Sequence, residues 1–269
     1  MLRRSFVCLG FLLGLIFSVV GVQAQEKIGV LMLHGKNPGG PNSPGFFALK
    51  RHLDREGMAT LLPDMPWSAK RYIDGDWEQA MVEIDGHVKT LRDAGATKIV
   101  FIGHSMGCAV SLGYALRPGK DVDAIALLAP GHSPHLYTTL PGLKALRESV
   151  EEARRMVTAG DTAKRKDFKD FNQGQSLLVR TTAPAYLSYF DPQSDAEMTR
   201  SASRIPARVP VLMVLGDKDP LYEYGRAFIF DKLPANPKSR YMEIQADHLN
   251  TPQIAAEDVT AWIRQAVKE

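Results

Sequence analysis

Cysteine is scarce in this chain of 269 residues, which contains two. Cys8 lies in an apolar N-terminal stretch, so a chain that loses this stretch keeps Cys108 alone and cannot form an internal disulfide. We expect Cys108 to be a small buried packing residue rather than a nucleophile. Clusters of His, Cys and acidic residues with metal-ligand spacing are also lacking, and the sequence therefore predicts no metal site.

A strong excess of charge is lacking too. The formal net charge is +3, and Arg3 and Arg4 near the N-terminus account for two of these charges. Without a sustained basic tract, the sequence predicts no nucleic-acid partner. The first apolar strand is not followed by G-x-G-x-x-G, and Pro41-Asn42 stand where a phosphate-binding loop has Lys and then Ser or Thr. The sequence therefore indicates no nucleotide cofactor.

One long apolar run is present, from Phe6 to Val20. The basic Arg3-Arg4 precede it and the small or aliphatic Val22-Gln23-Ala24 follow it, which is the layout of a secretory signal peptide. We expect residues 1–24 to be a signal peptide and the protein to be exported, either periplasmic or secreted. A retained membrane anchor is the competing interpretation, because the run is only slightly short of spanning length.

Residues 25–269 have the size and pattern of a single α/β domain. Strands are predicted at 28–33, 58–62, 99–102, 124–128, 209–215 and 240–244. Helices are predicted at 44–56, 76–94, 108–116, 221–233 and 251–267. Alternation of this kind predicts a mostly parallel central sheet with helices on both faces. The pattern changes between 132 and 208, which we predict to be a helical cap insertion lying over the edge of the sheet.

The segment Gly103-His104-Ser105-Met106-Gly107 joins a predicted strand to a predicted helix. Strand, G-x-S-x-G and helix together form a nucleophile elbow, in which the serine hydroxyl stands exposed on a strained turn. Side chains at Gly103 or Gly107 would collide where the strand and helix approach each other. The helix N-terminus would face the place where an oxyanion forms. We therefore predict Ser105 to be a nucleophile.

Three reactive residues follow the ends of predicted strands, namely Ser105, Asp219 and His248. Ligands bind beyond the carboxyl ends of strands in open parallel sheets. A serine hydroxyl needs a base within hydrogen-bonding reach, which is the role we predict for His248. A carboxylate would hold the histidine tautomer and stabilise the imidazolium. Asp217 is the alternative acid, although its position directly after a glycine favours a role in bracing the turn.

These pieces resemble the α/β-hydrolase superfamily over nearly all of residues 25–269. The matching motifs are L-M-L-H-G, G-H-S-M-G, V-P-V-L-M-V-L-G-D-K-D-P and A-D-H-L, and the nucleophile, acid and histidine come in the family's order. The resemblance implies serine-dependent hydrolysis, usually of esters, without a cofactor. Its G-x-x-D pattern is satisfied by Gly216 and Asp219, which favours Asp219 as the acid.

The same resemblance places the oxyanion hole at two backbone N–H groups, those of Met106 and Lys36. His34, Gly35 and His104 are expected to support the oxyanion loop and the elbow. The remaining histidines are weaker candidates: His132 and His135 border the insertion and are possible substrate contacts, whereas His52 and His87 lie in predicted helices.

The preferred function is an exported serine hydrolase acting on a small or medium carboxylic ester through an acyl-enzyme. An amide or peptide hydrolase with the same triad is an alternative, because the fold and triad do not separate the two. A catalytically idle fold used for binding is another. Serine at the elbow, where dehalogenases of this fold carry aspartate, argues against halide displacement. The oligomeric state stays open.

Overall fold

Six parallel strands form the central sheet of the computed structural model, which describes residues 27–120 and 122–268. They are β1 Ile28–Leu33, β2 Ala59–Leu61, β3 Lys98–Ser105, β4 Ala124–Pro130, β7 Val211–Gly216 and β8 Arg240–Ile244. Strands β5 Arg165–Asn172 and β6 Gln175–Thr182 form a separate hairpin. Their order across the sheet is β2-β1-β3-β4-β7-β8, and every neighbouring pair is parallel. The predicted sheet is confirmed. The predicted signal peptide, residues 1–24, lies outside the described residues.

Helices cover both faces of this sheet. They are α1 Pro44–Arg55, α2 Trp77–Asp93, α3 Met106–Ala115, α8 Thr251–Ile254 and α9 Ala256–Ala266. Successive side chains of a strand point to opposite faces, so Val30 and Met32 pack with α1 and α9, whereas Leu31 and Leu33 pack with α2 and α3. Within the described part of the chain, no helix is long and apolar enough to cross a membrane.

The insertion between β4 and β7 combines helices with a β-hairpin. Its elements are α4 Pro134–Thr139, α5 Lys144–Thr158, β5 Arg165–Asn172, β6 Gln175–Thr182, α6 Ala183–Phe190 and α7 Met198–Ser201. The expectation of a purely helical cap is therefore wrong for residues 165–182. A two-residue turn at Gln173-Gly174, with φ of 49° and 75°, joins the antiparallel strands, as hairpin turns with two positive φ values do.

The segment after β7 also differs from the prediction. Residues 221–233 form two short 3₁₀ turns, Tyr222–Tyr224 and Phe230–Lys232, rather than a helix. Gly225 packs so closely on the sheet that a β-carbon there would lie 2.4 Å from Leu215 Cδ2. The segment 221–233 therefore follows the close packing of Gly225 on the sheet rather than its own helix propensity. The predicted closing helix is divided into α8 and α9 at Ala255.

Candidate active site

Ser105 lies at the junction of β3 and α3, in the middle of the sheet. Its φ of 55° is in the region that a residue with a β-carbon rarely adopts, and ψ is −118°. Although Ser105 occupies the N-cap position of α3, its hydroxyl makes no capping hydrogen bond. A strained backbone that leaves the hydroxyl unused by the helix is the geometry of a nucleophile elbow.

The two glycines of the elbow let the helix approach the sheet. A β-carbon on Gly107 would lie 1.8 Å from the carbonyl oxygen of Leu33 in the neighbouring strand β1. A β-carbon on Gly103 would lie 2.4 Å from the carbonyl oxygen of Gly107. Both distances are far inside van der Waals contact, so larger residues would force α3 away from the sheet and displace Ser105.

Asp219 and His248 are directly hydrogen-bonded. His248 Nδ1 lies 2.8 Å from Asp219 Oδ2, and the backbone N–H of Leu221 donates to Asp219 Oδ1 at 2.8 Å. Since a carboxylate only accepts, the shared proton is on Nδ1 and Nε2 is left as the basic nitrogen. Asp217 is exposed and accepts a hydrogen bond from the Ala246 N–H at 3.2 Å, so it braces the turn.

Two neighbours hold the loop that carries His248. Asp247 accepts from the N–H groups of Leu249 and Asn250 at 3.0 and 2.8 Å. His104 Nε2 donates to the His248 carbonyl oxygen at 2.9 Å, and its ring centroid lies 5.2 Å from that of His248. Burial lowers the pKa of His104 to about 3, which keeps the ring neutral. His104 therefore positions His248 without carrying charge.

The loop after β1 passes beside Ser105. A β-carbon on Gly35 would lie 3.1 Å from Ser105 Cβ and 3.7 Å from Ser105 Oγ. Among residues 27–120 and 122–268, neither the Lys36 N–H nor the Met106 N–H donates in a turn, loop or cap hydrogen bond. Unpaired N–H groups beside a reactive oxygen are what an oxyanion hole requires.

His34 fixes the start of this loop. The Met65 N–H donates to His34 Nε2 at 3.1 Å, so the ring proton is on Nδ1, which lies 2.8 Å from the Gly35 carbonyl oxygen. Burial lowers the pKa of His34 and keeps it neutral. The His34 carbonyl oxygen in turn accepts from Trp67 Nε1 at 2.8 Å. These bonds tie the Gly35-Lys36 segment to the loop that follows β2.

Gly131, at the end of β4, separates the serine from the histidine. A β-carbon on Gly131 would lie 2.7 Å from Ser105 Oγ and 3.2 Å from His248 Cε1. Both groups therefore border the same small space. Ser105 is 7% exposed, His248 6% and Asp219 5%, so all three side chains are largely enclosed.

The other candidate residues from the sequence are either packed in the interior or exposed on the surface. His132 is buried: its Nδ1 lies 3.0 Å from the Tyr137 hydroxyl and its Nε2 lies 2.7 Å from the Tyr189 carbonyl oxygen. His135 is exposed on α4. Cys108 is fully buried, and burial raises the pKa of its thiol. No cluster of three or more potential metal ligands occurs where the structure is described.

Sequence reasoning missed two features of this site. Gly131 lies three residues beyond the predicted strand 124–128, so its position near a strand end was the available signal. Asp170 of β5 is a fully buried carboxylate that contacts the Lys36 side chain, although its strand is rich in charged residues. Phe168 and Asp170 both point inward in a period-two pattern, but the local sequence does not show that a carboxylate takes an inward position.

A family model described as "Alpha/beta hydrolase family" matches residues 30–262. The chain therefore belongs to the alpha/beta hydrolase family, and the match includes Ser105, Asp219 and His248. The chain is also 29% identical over 147 residues to 2-hydroxy-6-oxo-6-phenylhexa-2,4-dienoate hydrolase from Burkholderia cepacia. That alignment covers 50% of each protein, so the chain spans about half the length of this curated relative.

Solved structures support the same fold. Est1E from Butyrivibrio proteoclasticus, solved with ferulic acid, superimposes with a TM-score of 0.62 at 18% identity over 91% of each chain. The monoacylglycerol lipase of Paleococcus ferrophilus gives a TM-score of 0.62 at 19% identity, covering 88% of this chain and 94% of the lipase. A metagenome-derived lipolytic enzyme gives 0.63 at 17% identity, with 89% and 94% covered.

Proposed function

We propose that this alpha/beta hydrolase is a serine hydrolase that cleaves a small or medium carboxylic ester. The observation that carries the proposal is the buried 2.8 Å hydrogen bond between His248 Nδ1 and Asp219 Oδ2, next to Ser105 on its strained turn. A nucleophile, a base and an acid that orients the base are the three groups that acyl transfer needs.

In the first half of the reaction, His248 Nε2 takes the proton of the Ser105 hydroxyl while Oγ bonds to the ester carbonyl carbon. The carbonyl oxygen becomes an oxyanion and accepts hydrogen bonds from the Lys36 and Met106 N–H groups. His248 then gives its proton to the leaving alcohol oxygen, which breaks the ester bond. In the second half, water repeats the attack on the acyl-serine and releases the acid.

Two observations support this substrate, the first concerning its size and the second its chemical class. The reactive residues are more than nine-tenths buried, so a bulky chain would have to displace packed residues. Lipolytic enzymes and esterases are also among the proteins of similar fold. These names belong to the neighbours, and for this chain they favour an ester as the first substrate class to test.

The direct test is labelling by a fluorophosphonate probe combined with turnover of a panel of 4-nitrophenyl esters. Wild-type protein should be labelled and active, whereas Ser105→Ala should lose the label and about 10⁶ in kcat, as in dissected triads. Ser133→Ala is the matched control, because that serine lies at the start of α4 and its hydroxyl makes no capping hydrogen bond. Full turnover by folded Ser105→Ala would overturn the proposal.

The same experiment separates the two alternatives. An amide or peptide hydrolase would be labelled but would prefer the amide of a matched ester–amide pair with one acyl group. A hydrolase fold used only for binding would neither be labelled nor turn over any ester. Labelling together with faster ester cleavage is the result that the proposed function requires.

Export is a second part of the proposal and depends on residues 1–24. A signal peptide cleaved after Ala24 would release a protein beginning at Gln25 into the periplasm or the medium. N-terminal sequencing of protein produced from the full chain tests this. A protein that keeps Met1 and sediments with membranes would instead support the anchor.

A further inference from the structure

The insertion contributes a buried carboxylate that contacts the loop next to Ser105. Asp170 on β5 has no exposed surface and accepts from three donors. These are the Lys36 ammonium, the Tyr72 hydroxyl at 2.8 Å and the backbone N–H of Phe171 at 2.6 Å. One side chain of the hairpin therefore joins two loops of the main sheet, the one after β1 and the one after β2.

The Lys36 side chain is correspondingly enclosed. It is 4% exposed, and besides Asp170 it donates to the Phe171 carbonyl oxygen at 3.2 Å. Its ammonium lies 5.5 Å from the ring centroid of Tyr137 and 5.2 Å from that of Phe190. A lysine that is desolvated on all sides has its charge and direction set by its carboxylate partner.

A second contact holds the same loop from the hairpin. Asn172, two residues beyond Asp170, donates through Nδ2 to the Asn37 carbonyl oxygen at 2.7 Å. The hairpin thus forms hydrogen bonds with both the side chain of Lys36 and the main chain of Asn37. The Lys36 N–H is one of the two proposed oxyanion donors. It lies between Gly35, which adjoins Ser105, and the hydrogen bonds that the hairpin makes with Lys36 and Asn37.

The segment that presents Tyr72 is held in a strained conformation. Tyr72 and Ile73 have φ values of 29° and 60°, and positive φ is especially unfavourable for a β-branched residue. The hairpin stabilises this segment as well, because Thr181 Oγ1 donates to the Ile73 carbonyl oxygen at 2.8 Å. A strained backbone persists only where neighbouring residues hold it in place, and here the contacts from the hairpin do so.

We propose that Asp170 is a positioning residue for the oxyanion hole, acting through its buried ion pair with Lys36 and its hydrogen bond from Tyr72. The inference rests on the proposed serine hydrolase function and adds that the insertion helps to build the catalytic site as well as cover it. Burying an ion pair brings little net stability, since desolvation offsets the attraction. Its effect here is to fix one backbone N–H where charge develops in the transition state.

The test compares Asp170→Asn with Asp167→Asn. Asp167 lies on the same strand and pairs with Arg180 in an exposed salt bridge, so it controls for the hairpin itself. Asp170→Asn should lower kcat about 10- to 100-fold with KM changed less than about threefold, since complete loss of an oxyanion donor costs about 10²–10³. Asp167→Asn should match wild type in both constants.

An alkylboronic acid forms a tetrahedral adduct with a reactive serine and so resembles the transition state. Its inhibition constant distinguishes a role in the oxyanion hole from a merely structural role. Its inhibition constant should rise in Asp170→Asn by the factor lost in kcat/KM, whereas inhibition by the carboxylic acid product should stay constant. If Asp170→Asn does not fold, Tyr72→Phe decides, because it removes only the hydroxyl hydrogen bond and should show the same pattern more weakly.

The possible failures are distinguishable. Turnover that survives Ser105→Ala would overturn the proposed function and this inference with it. Turnover that depends on Ser105 but is unchanged in folded Asp170→Asn, or in Tyr72→Phe where that variant decides, would overturn the inference alone. A rise confined to KM would do the same, because it would assign Asp170 to substrate binding rather than to the oxyanion.

Discussion

The ring of His104 donates a hydrogen bond from Nε2 to the carbonyl oxygen of His248, 2.9 Å away. The residue immediately before the elbow serine thus holds the backbone of the proposed base. Its other nitrogen, Nδ1, is buried and has no hydrogen-bond partner among the residues that the structure describes, and burial lowers the pKa of His104 to about 3. Protonating His104 would place an uncompensated charge beside His248, so the pair works with His104 neutral.

This arrangement predicts the pH profile of turnover. Burial also lowers the pKa of His132 to about 3, so neither His104 nor His132 changes charge between pH 5 and 8. A protonated His248 could not accept the serine proton, and His104 and His132 add no ionisation of their own. We expect kcat/KM to fall on acidification as a single ionisation. A slope of two in the plot of log(kcat/KM) against pH, measured with enzyme that stays folded over this range, would contradict this.

Two of the buried neutral histidines, His104 and His132, should make folding sensitive to acid. Their pKa in the folded protein lies below the ordinary 6.5, so the unfolded chain binds more protons between about pH 6.5 and 3. Stability is therefore complete above pH 6.5 and falls as the pH decreases, by about 1.4 kcal/mol per pH unit for each such histidine. His132→Gln keeps a donor and an acceptor and should reduce this slope by one proton, measured by urea unfolding at pH 4.5 to 6.5. An unchanged slope would mean that His132 titrates normally.

The identity of the acid can be tested with a matched pair of aspartates. Asp219→Asn should keep the fold and lower kcat by up to about 10⁴, because an amide at this position favours the wrong histidine tautomer. Asp217→Asn alters an exposed side chain that contacts only the turn and should cost far less. Kinetics on one ester suffice. The reverse order of effects would assign the acid to Asp217.

Gly131 offers a steric test of the space between nucleophile and base. In Gly131→Ala the new methyl group would lie 2.7 Å from Ser105 Oγ and 3.2 Å from His248 Cε1. We expect kcat to fall at least about 100-fold, since small misplacements of reacting groups have effects of this size. Gly86→Ala on α2 is the control, because a β-carbon there meets nothing within 4 Å. Equal activity of both variants would show that the gap is wider than the structure indicates.

The sequence predicted the sheet well and the insertion poorly, for identifiable physical reasons. Buried parallel strands such as Ile28–Leu33 are short, continuous apolar runs that are visible in the sequence itself. Strand β5 has the opposite character, because one of its inward positions is Asp170 and its exposed positions are charged. Burial of a carboxylate depends on Lys36 and Tyr72, which are distant in the sequence, and no local pattern reveals such partners.

The candidate site follows the same division. Ser105, Asp219 and His248 stand at strand ends, and chain order alone suffices to propose them. The contribution of Gly131 depends on the distance between two side chains from different loops, which the sequence does not contain. The predicted helix at 221–233 was wrong for a related reason, since the tight packing of Gly225 against Leu215 is a tertiary contact.

The burial of Cys108 gives the protein an intrinsic reporter of unfolding. Its sulfur donates to the Gly103 carbonyl oxygen at 3.2 Å, inside the strand and helix that hold Ser105. In a chain that begins at Gln25, this is the single thiol. A disulfide reagent such as DTNB can reach it only when the elbow opens, so the rate of modification measures the opening of the catalytic core independently of turnover.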